Sequence, residues 1–550
     1  MCIRDRNNTW YLSGDPANGT AMSPATTVAN DYAKLYVGGR SGSAQNTLNV
    51  NFGQQGFLYT PPTGFKAISS KNIPTPTILL PNQHFNTVLY TGNGSTTQNI
   101  TGYNFQPDWV WIKSRSSGSG HHSLVDSVRG DVALNSDQTI AEYSVANFNF
   151  NATSIDVPYY ANNYSMNTNA ENYVAWNWNA GGSASKTYRV VVSSAGGSGN
   201  KYRFRNSANS ATFAADAVTL DLEEGGTYTF DGSDSTMASH PIKLSTTANG
   251  THGGGSSYNT GVTYELDGST VTESAYVSGY SSATSRKLII TVAASAPTLY
   301  YYCHVHSGMG GQINTNSTFG SSNFDGSTQS TVKANTTAGF SIVSYAGTGS
   351  NATIGHGLGV APTSVIVKRR DDVNNWRVGH NGLTDWTYRI NLESTDGQSQ
   401  QTNVWNSTAP SSSVFSIGTS SSVNTSSGTY IAYCFSEVAG YSKFGKYTGT
   451  GSTDGAFAYT GFRPAWVLIK STSGSTHWVM KDTTRDTYNV ANKTLLANSS
   501  TSEDTSGSFS IDFLSNGFKC RASGTHVNAS GTTYIYLAFA ESPFKNNRAR

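Results

Sequence analysis

The sequence contains few charged residues. Asp, Glu, Lys and Arg make up 12% of its 550 residues, about half the share that globular proteins usually carry. The 35 basic and 33 acidic residues leave a net charge of +2. This balance does not supply the phosphate neutralisation that nucleic-acid binding requires. We therefore predict that the protein has no nucleic-acid partner.

Cysteines and long hydrophobic runs are also scarce. The four cysteines are far apart in the sequence, at Cys2, Cys303, Cys434 and Cys520, so they form no framework of the kind that staples small secreted domains. No apolar run approaches the ~20 residues needed to cross a bilayer, and the N-terminus lacks the apolar segment of a signal peptide. We predict a fold without disulfides and a chain without a membrane span.

The first six residues, "MCIRDR", differ in composition from everything after them. They resemble the adaptor-derived translation seen at the ends of metagenomic contigs, so we leave Met1 to Arg6 out of the fold prediction. On this interpretation the natural chain is truncated there, and any targeting segment would be missing.

Glycine and aromatic residues are plentiful, with 56 Gly and 12% aromatic side chains. Short apolar runs rich in aromatic and β-branched residues alternate with Ser, Thr and Gly, and no window shows a sustained period of 3.6 residues. The length predicts roughly three to five domains. Together these features predict an all-β protein made of several β-sandwich domains in series.

One repeat occurs three times. Each copy opens on a short motif that begins with Tyr, reaches a Pro seventeen residues after this Tyr and a Lys six residues after the Pro, and closes on an aromatic strand. The opening motifs are "YTGNGS", "YAGTGS" and "YTGTGS"; the middle motifs are "PDWVWIK", "PTSVIVK" and "PAWVLIK"; the closing strands are "YVAWNW", "YIAYCF" and "YIYLAF". We predict that the copies share one fold, with Trp109, Val365 and Trp466 at equivalent buried strand positions.

The spacing of the repeats defines the domains. Copies two and three follow each other directly, whereas about 150 residues separate copy one from copy two. The predicted domains are an N-terminal segment and three repeats with one inserted domain, at residues 7–80, 85–183, 186–318, 338–440 and 441–546, of which 186–318 is the insertion. Copies one and three also place Asp and Arg three residues apart, in "DSVRG" and "DTTRD". We interpret that pair as a salt bridge that fixes a turn, with a catalytic carboxylate as the less favoured alternative.

Two segments carry a resemblance to known proteins. "NFGQQGFLYTPPTGFKAI", from Asn51 to Ile68, looks like the closing segment of SPRY or concanavalin-like domains in marine bacteriophage structural proteins. The repeat signature resembles a repeat of unknown function in the same proteins. The resemblance implies a component of a virion or tail fibre, which composition alone does not indicate.

The insertion contains a cluster of soft donor side chains, in "YYCHVHSGMGG" and the upstream "ASHPIKLS". The insertion resembles a cupredoxin, a Greek-key β-sandwich that holds one copper ion. Its ligands would be His240, Cys303, His306 and Met309, since a type 1 copper site takes one thiolate, two imidazoles and a weak axial thioether. His240 is separated from Cys303 by 63 residues, so His252 in "GTHGGG" is the reserve first ligand. A diverged domain that has lost its metal stays the alternative.

The functional prediction is a non-enzymatic phage structural protein with a copper module, located in the virion, or extracellular if cellular. Its partners would be other virion proteins and a host surface glycan or receptor. Fibre proteins are commonly trimers, so a homotrimer is an open alternative, although no heptad run indicates one. Two other functions stay open: an extracellular electron-transfer cupredoxin, and a polysaccharide-degrading fibre enzyme, which would need paired carboxylates about 5 to 9.5 Å apart.

Overall fold

The computed structural model describes residues 75–182, 184–194, 199–315 and 320–546, and the backbone of two short strands near the N-terminus. Those strands, β1 (Cys2–Arg4) and β2 (Trp10–Leu12), form an antiparallel pair within a first compact unit, Met1–Thr75. The SPRY-like resemblance of residues 7–80 falls almost wholly outside the described residues. The second unit, Pro76–Arg550, contains the three repeats and the insertion.

Repeat 1 consists of two antiparallel sheets. Its strands are β3 (Phe85–Thr91), β4 (Thr97–Thr101), β5 (Trp109–Ser114), β6 (Ser123–Asp126), β7 (Val132–Leu134), β8 (Tyr143–Ser144), β9 (Asn149–Phe150), β10 (Ser154–Pro158) and β11 (Asn172–Trp178). The larger sheet has the order β3-β11-β5-β6-β7-β8, and the smaller has the order β4-β10-β9. The opening motif thus ends strand β3, and the closing aromatic strand β11 lies in the same sheet, between β3 and β5.

The inserted domain also has two sheets around one apolar core. Its elements are β12 (Ser185–Ser194), β13 (Asn200–Phe204), β14 (Leu220–Asp221), β15 (Thr227–Asp231), β16 (Ile242–Ser245), β17 (Val262–Leu266), β18 (Ser269–Val271), α1 (Glu273–Gly279), β19 (Arg286–Thr291), β20 (Leu299–Cys303) and β21 (Gln312–Asn314). The sheet orders are β13-β12-β15-β19-β17-β18 and β14-β21-β20-β16. Of the predicted metal ligands, Cys303 ends β20 of the second sheet, and His240, His306 and Met309 lie in segments that flank its strands.

Repeats 2 and 3 follow the plan of repeat 1. Repeat 2 comprises β22 (Ser321–Asn323), β23 (Ser330–Asn335), β24 (Phe340–Ala346), β25 (Ala352–Gly355), β26 (Ser364–Arg369), β27 (Arg377–His380), β28 (Tyr388–Arg389), β29 (Ser399–Gln400), α2 (Thr402–Trp405), β30 (Val414–Ile417), α3 (Ser421–Asn424) and β31 (Thr429–Phe435). Its main sheet has the order β22-β23-β24-β31-β26-β27. This sheet begins upstream of the predicted boundary at residue 338.

Repeat 3 comprises β32 (Ser442–Thr448), β33 (Phe457–Tyr459), β34 (Phe462–Ser471), β35 (Val479–Asp482), β36 (Leu495–Leu496), β37 (Ile511–Leu514), β38 (Gly517–Cys520) and β39 (Thr533–Pro543). Its sheets have the orders β32-β39-β34-β35-β36 and β33-β38-β37. Four 3-10 turns complete the described helical structure, at Pro81–Gln83, Ser235–Met237, Gly250–Gly253 and Phe544–Asn546. The all-β prediction is confirmed, and no helix among the described residues is both long and apolar enough to span a membrane.

The main sheet of each repeat is buried on both faces. One face packs on the repeat's own smaller sheet, and the other joins a core that all three repeats share. In strand β5, Val110 belongs to the local core and Trp109 to the shared one. This explains why the middle motifs are apolar at successive positions, as strands buried on both faces are.

Trp109, Val365 and Trp466 are all buried, but the predicted equivalence is wrong at Val365. Val365 lies in the local core of repeat 2, whereas Trp109 and Trp466 lie in the shared core. Ser364, one residue earlier, pairs with Phe435 as Trp466 pairs with Phe539. Since side chains alternate along a strand, a shift of one residue moves a side chain to the other face.

The three repeats form a closed ring. The middle-motif lysines each donate a hydrogen bond from Nζ to a backbone carbonyl of a neighbouring repeat: Lys113 to Ser500 at 3.0 Å, Lys368 to Thr139 at 3.2 Å and Lys470 to Thr395 at 2.8 Å. Repeat 1 thus contacts repeat 3, repeat 2 contacts repeat 1, and repeat 3 contacts repeat 2. Buried indoles follow the same direction, with Trp376 donating to Asn135 O and Trp478 to Asn391 O, both at 2.8 Å.

The two Asp–Arg pairs are buried salt bridges, as predicted. Arg129 Nε lies 2.5 Å from Asp126 Oδ2, and Arg485 Nε lies 2.5 Å from the Oδ2 of Asp482. Each Asp also accepts the backbone N–H of its Arg, which closes the turn. The same carboxylates bind a neighbouring repeat, because Asp126 accepts from the Tyr433 hydroxyl at 2.7 Å and Asp482 accepts from an indole of repeat 1. Both carboxylates are fully occupied by structural contacts.

The buried lysines make the free energy of unfolding depend on pH in neutral to alkaline solution. Burial lowers the pKa of Lys113 and Lys368 to about 8 and that of Lys470 to about 7, against about 10.4 in an unfolded chain. Below their folded pKa these lysines are charged in both states, so their destabilising effect is constant. Between the folded and unfolded pKa only the unfolded chain holds the protons, so the free energy of unfolding should rise with pH by about 1.4 kcal/mol per unit for each lysine.

Urea denaturation between about pH 7 and pH 9.5 measures this slope. Above about pH 10 the trend should reverse, because burial raises the pKa of tyrosines such as Tyr90 and the unfolded tyrosines ionise first. Lys368→Met should reduce the slope by the contribution of one lysine. If the free energy of unfolding stayed constant or fell between about pH 7 and pH 9.5, the lowered pKa of the buried lysines would be contradicted.

Candidate metal centre

Strand pairing brings the two most distant predicted ligands together. Strand β16 runs antiparallel to β20, with Ile242 opposite Cys303. His240 lies two residues before Ile242 and therefore sits at the edge of the sheet where β20 ends. The 62 residues between His240 and Cys303 include β17, β18 and β19, which build part of the facing sheet, and the helix α1. The long segment thus forms regular secondary structure, and His240 still lies beside Cys303.

The three strong donors form a compact cluster. Cys303 Sγ lies 3.8 Å from His240 Nδ1 and 3.7 Å from His306 Nδ1. All three donor atoms lie within 4.8 Å of one another. The two imidazole rings have centroids 4.6 Å apart. The prediction that these three residues meet is confirmed.

The loop after β20 contains two of the predicted ligands, His306 and Met309, and brings the His306 ring beside Cys303. Gly308 has a φ of 73°, a conformation that favours glycine, and a Cβ at Gly310 would lie 1.7 Å from the Tyr301 carbonyl oxygen. Asn249 braces the loop, since its Oδ1 accepts from Gly308 N at 2.7 Å and its Nδ2 donates to Ser307 Oγ at 2.8 Å. Asn249 lies in the glycine-rich stretch that holds His252, and no sequence pattern indicates its role.

Met309 is buried, with 1% of its surface exposed, and belongs to the same apolar cluster as Cys303. Its backbone carbonyl accepts from Tyr202 N at 2.9 Å, and the Tyr202 hydroxyl donates to the His240 carbonyl at 2.9 Å. Tyr202 on strand β13 therefore connects the segments of two ligands. No sequence motif indicated this role for Tyr202.

The centre has one buried side and one open side. Cys303 is fully buried and His240 is 7% exposed, whereas His306 is exposed. Burial lowers the pKa of His240, and the neighbouring His306 lowers it further, which favours the neutral imidazole that binds metals. The backbone N–H of His306 donates to Cys303 Sγ at 3.4 Å. A donor aimed at sulfur stabilises a thiolate.

The donor spacing matches a trigonal metal site. A sulfur about 2.3 Å and a nitrogen about 2.0 Å from one metal ion, separated by about 120°, lie about 3.7 Å apart. The two measured sulfur–nitrogen distances, 3.8 and 3.7 Å, agree with this value. One thiolate and two imidazoles also form the soft ligand set that copper selects. The residues present therefore fit a copper ion.

The other candidate residues lie elsewhere or have structural partners. His252, the reserve ligand, directs its Nε2 to the Cys303 carbonyl oxygen at 3.0 Å. His304, next to Cys303, is half-buried. His121 contacts Asp137 at 2.7 Å, and His122 lies between an indole of its own repeat and the Leu496 carbonyl. Both rings therefore have structural partners.

The remaining described cysteines are core residues. Cys434 and Cys520 are buried and unpaired, and burial raises the pKa of both thiols, that of Cys520 to about 11. The prediction that disulfides do not hold the fold is confirmed for the three cysteines that the structure describes.

Comparison with known proteins places the chain in a family. The model of a domain of unknown function, DUF7483, matches residues 80–222 and 314–543, and the chain belongs to this family. The match omits residues 223–313, which contain all four predicted metal ligands. The candidate centre thus lies outside the residues that the family model matches, and the omitted stretch is shorter than the predicted insertion at 186–318.

The other comparisons add little. No curated protein matches the chain. Among solved structures, a Corynebacterium diphtheriae protein described as "Putative membrane anchored protein" is similar at 9% identity, over 81% of this chain and 89% of that one. Its TM-score is 0.10, which is too low to indicate a shared fold.

Proposed function

We propose that the protein is a non-enzymatic structural protein whose inserted domain binds one copper ion. The observation that carries the proposal is the cluster of His240, Cys303 and His306, whose donor atoms lie within 4.8 Å of one another. Met309, buried in the same cluster of the core, is the proposed axial ligand. Hard cations such as Mg²⁺ prefer oxygen donors, and structural zinc sites usually fill four positions with Cys and His, so this donor set favours copper.

A bound copper ion would supply a one-electron redox couple. The chain's contribution is to place the buried Cys303 sulfur beside the two imidazoles, with the His306 N–H directed at it. Tyr202 and Asn249 fix the backbone around the ligands, so the donors are positioned before metal arrives. Such preorganisation is what keeps a metal site in one geometry.

The rest of the chain supports a structural role. Three repeats share one aromatic core and form a ring of interlocking contacts, which suits a rigid component of a larger particle. With the phage-like repeat signature, this leads us to propose a virion or tail-fibre protein, whose partners are other virion proteins and a host glycan or receptor. Antibodies against repeat 3 should label purified phage particles in negative-stain images; labelling of cell material alone would contradict this proposal.

An electron-transfer role is the second candidate, because one ligand reaches the surface. His306 is exposed, and the adjacent Val305 is 54% exposed. An exposed imidazole ligand beside an apolar side chain gives an electron a short path to a docked partner. The copper prediction is common to both candidates, and redox cycling with a partner would separate them.

Copper binding can be tested on the purified full chain. We expect one equivalent of Cu(II) to survive desalting and to produce an intense blue or green colour, because a thiolate–copper bond gives strong charge-transfer absorption. Elemental analysis gives the stoichiometry, and an equal amount of Mg²⁺ serves as the control that should not be retained. Loss of all copper on desalting would contradict the proposal.

Met309→Leu should keep the copper and the colour but shift the reduction potential. The axial thioether is a weak ligand, so its removal changes the electronic balance of the metal more than its affinity. Leucine has nearly the volume of methionine, so the core should tolerate the change. Redox titration measures the potential, and an unchanged potential would show that Met309 is not a ligand.

A further inference from the structure

Three charged side chains from three different parts of the fold meet in the protein interior. Asp108 directly precedes strand β5 of repeat 1, Glu223 follows β14 of the inserted domain, and Lys333 lies in β23 of repeat 2. Lys333 Nζ lies 2.5 Å from Glu223 Oε1 and 3.7 Å from Asp108 Oδ1. We call these residues the junction triad, since the insertion joins the ring of repeats at this point.

The triad is removed from solvent. The side-chain exposures of Lys333, Glu223 and Asp108 are 5%, 4% and 2%. Apolar residues such as Leu222 and Trp109 precede or follow them in the chain and are themselves buried. When a buried ammonium lies beside a carboxylate, a proton can pass from one to the other and the total charge does not change. A neutral amine and a neutral acid are therefore easier to form than either would be alone.

We propose that the junction triad forms an intramolecular isopeptide bond between Lys333 Nζ and Asp108 Cγ, with Glu223 as the proton-transfer residue. The geometry points to these roles because Glu223 contacts the amine directly and Asp108 presents its carboxyl group to the same nitrogen. Neither the family description nor the proposed copper function includes such a bond.

The step balances without a cofactor or an oxidant. Glu223 accepts a proton from the Lys333 ammonium, and the neutral amine attacks Cγ of protonated Asp108 to form the new N–C bond. Glu223 returns this proton to the hydroxyl group, the C–O bond breaks and one water molecule leaves. Glu223 then accepts the second proton from the nitrogen. The products are an amide, water and a protonated Glu223, and no atom is oxidised or reduced.

The surroundings of Asp108 support its role as the electrophile. Its Oδ1 accepts from Ser127 Oγ at 3.0 Å, and its Oδ2 accepts from Ala180 N at 2.7 Å. Donors of this kind stabilise the negative charge that develops on oxygen when a nucleophile adds to the carboxyl carbon. Burial raises the pKa of Asp108 to about 6, so a sizeable fraction is protonated in weakly acidic solution.

Intact mass spectrometry of the purified, denatured full chain tests the proposal. We expect a mass about 18 Da below that of the sequence, corresponding to one lost water. After trypsin digestion, a single branched species should join residues 72–113 to residues 288–368, because trypsin cannot cleave after an acylated Lys333. The full sequence mass after prolonged incubation, or a branch point at residues other than Lys333 and Asp108, would overturn the proposal.

Variants separate the bond from a simple buried ion pair. Glu223→Gln keeps the size of the side chain but cannot accept the proton, so this variant should show the full sequence mass while circular dichroism shows a folded protein. Lys333→Met should also show no loss of water. The chain contains an internal control, because Lys243 contacts the partly exposed Glu273 alone and trypsin should cleave after it normally. Loss of water in Glu223→Gln would exclude the assigned role of Glu223.

Discussion

Replacing Cys303 by Ser should abolish the intense visible absorption that Cu(II) produces in the wild-type chain. The colour arises from charge transfer between a thiolate sulfur and the metal, and a serine oxygen does not provide it. Cys303 Sγ also lies close to both imidazoles, at 3.8 Å from His240 Nδ1 and 3.7 Å from His306 Nδ1. We therefore expect a large loss of copper affinity together with the loss of colour, while the far-UV circular dichroism stays that of a β-protein.

A second cysteine provides the matched control for this experiment. Cys434 is fully buried in repeat 2 and belongs to a different core cluster from the metal ligands. Cys434→Ala should therefore leave the colour and the copper stoichiometry unchanged. Persistent colour in Cys303→Ser, or its loss in Cys434→Ala, would contradict the assignment of the thiolate ligand.

Truncating Trp466 to Ala should lower the free energy of unfolding by about 3 to 5 kcal/mol, the usual cost of removing a large aromatic side chain from a core. Trp466 is 1% exposed, and its ring lies within 6.2 Å of Phe85 and 5.6 Å of Trp178, both from repeat 1. The substitution thus opens a cavity in the core that the repeats share. Because that core is common, we expect the ring of repeats to unfold in one transition at a lower urea concentration.

The control for Trp466→Ala is an exposed apolar residue. Val373 is 61% exposed, and Val373→Ala should change the free energy of unfolding by no more than about 0.5 kcal/mol. If Trp466→Ala were equally mild, or if the repeats unfolded in separate transitions, a shared core would not be what stabilises them.

The sequence was sufficient to predict the repeat and the class of fold, because both depend on local patterns. The middle motifs are short apolar strands at a fixed distance from the Tyr that opens each repeat, and the structure has a strand at each of them. The shared core could not be predicted, because period and hydrophobicity show that a strand is buried but not what covers each face. The signal was present in "WVWIK", where successive positions are apolar.

The cluster of candidate metal ligands was predicted because Cys, His and Met are rare in this chain and three of the predicted ligands lie within seven residues. His240 required an assumption about strand pairing, and the pairing of Ile242 with Cys303 explains why the assumption succeeded. His252 was a reasonable reserve on spacing alone, but its ring contacts a carbonyl oxygen instead. Residues that hold the ligands, such as Tyr202 and Asn249, are common types without a motif.

The junction triad shows the opposite case. Asp108, Glu223 and Lys333 are far apart in the sequence and belong to three different parts of the fold. Asp108 lies in the middle motif "PDWVWIK", but no pattern links the three residues. Only the tertiary structure brings them together. The lysines of the middle motifs are intermediate, since their regular position was visible in the sequence but their burial against a neighbouring repeat was not.

The most direct test of the copper centre is X-ray absorption at the copper edge, recorded on the full chain loaded with one equivalent of copper. The account predicts a first shell of one short sulfur and two imidazole nitrogens, supplied by Cys303, His240 and His306. A shell of nitrogen and oxygen alone would contradict the account, because it would place the metal away from Cys303.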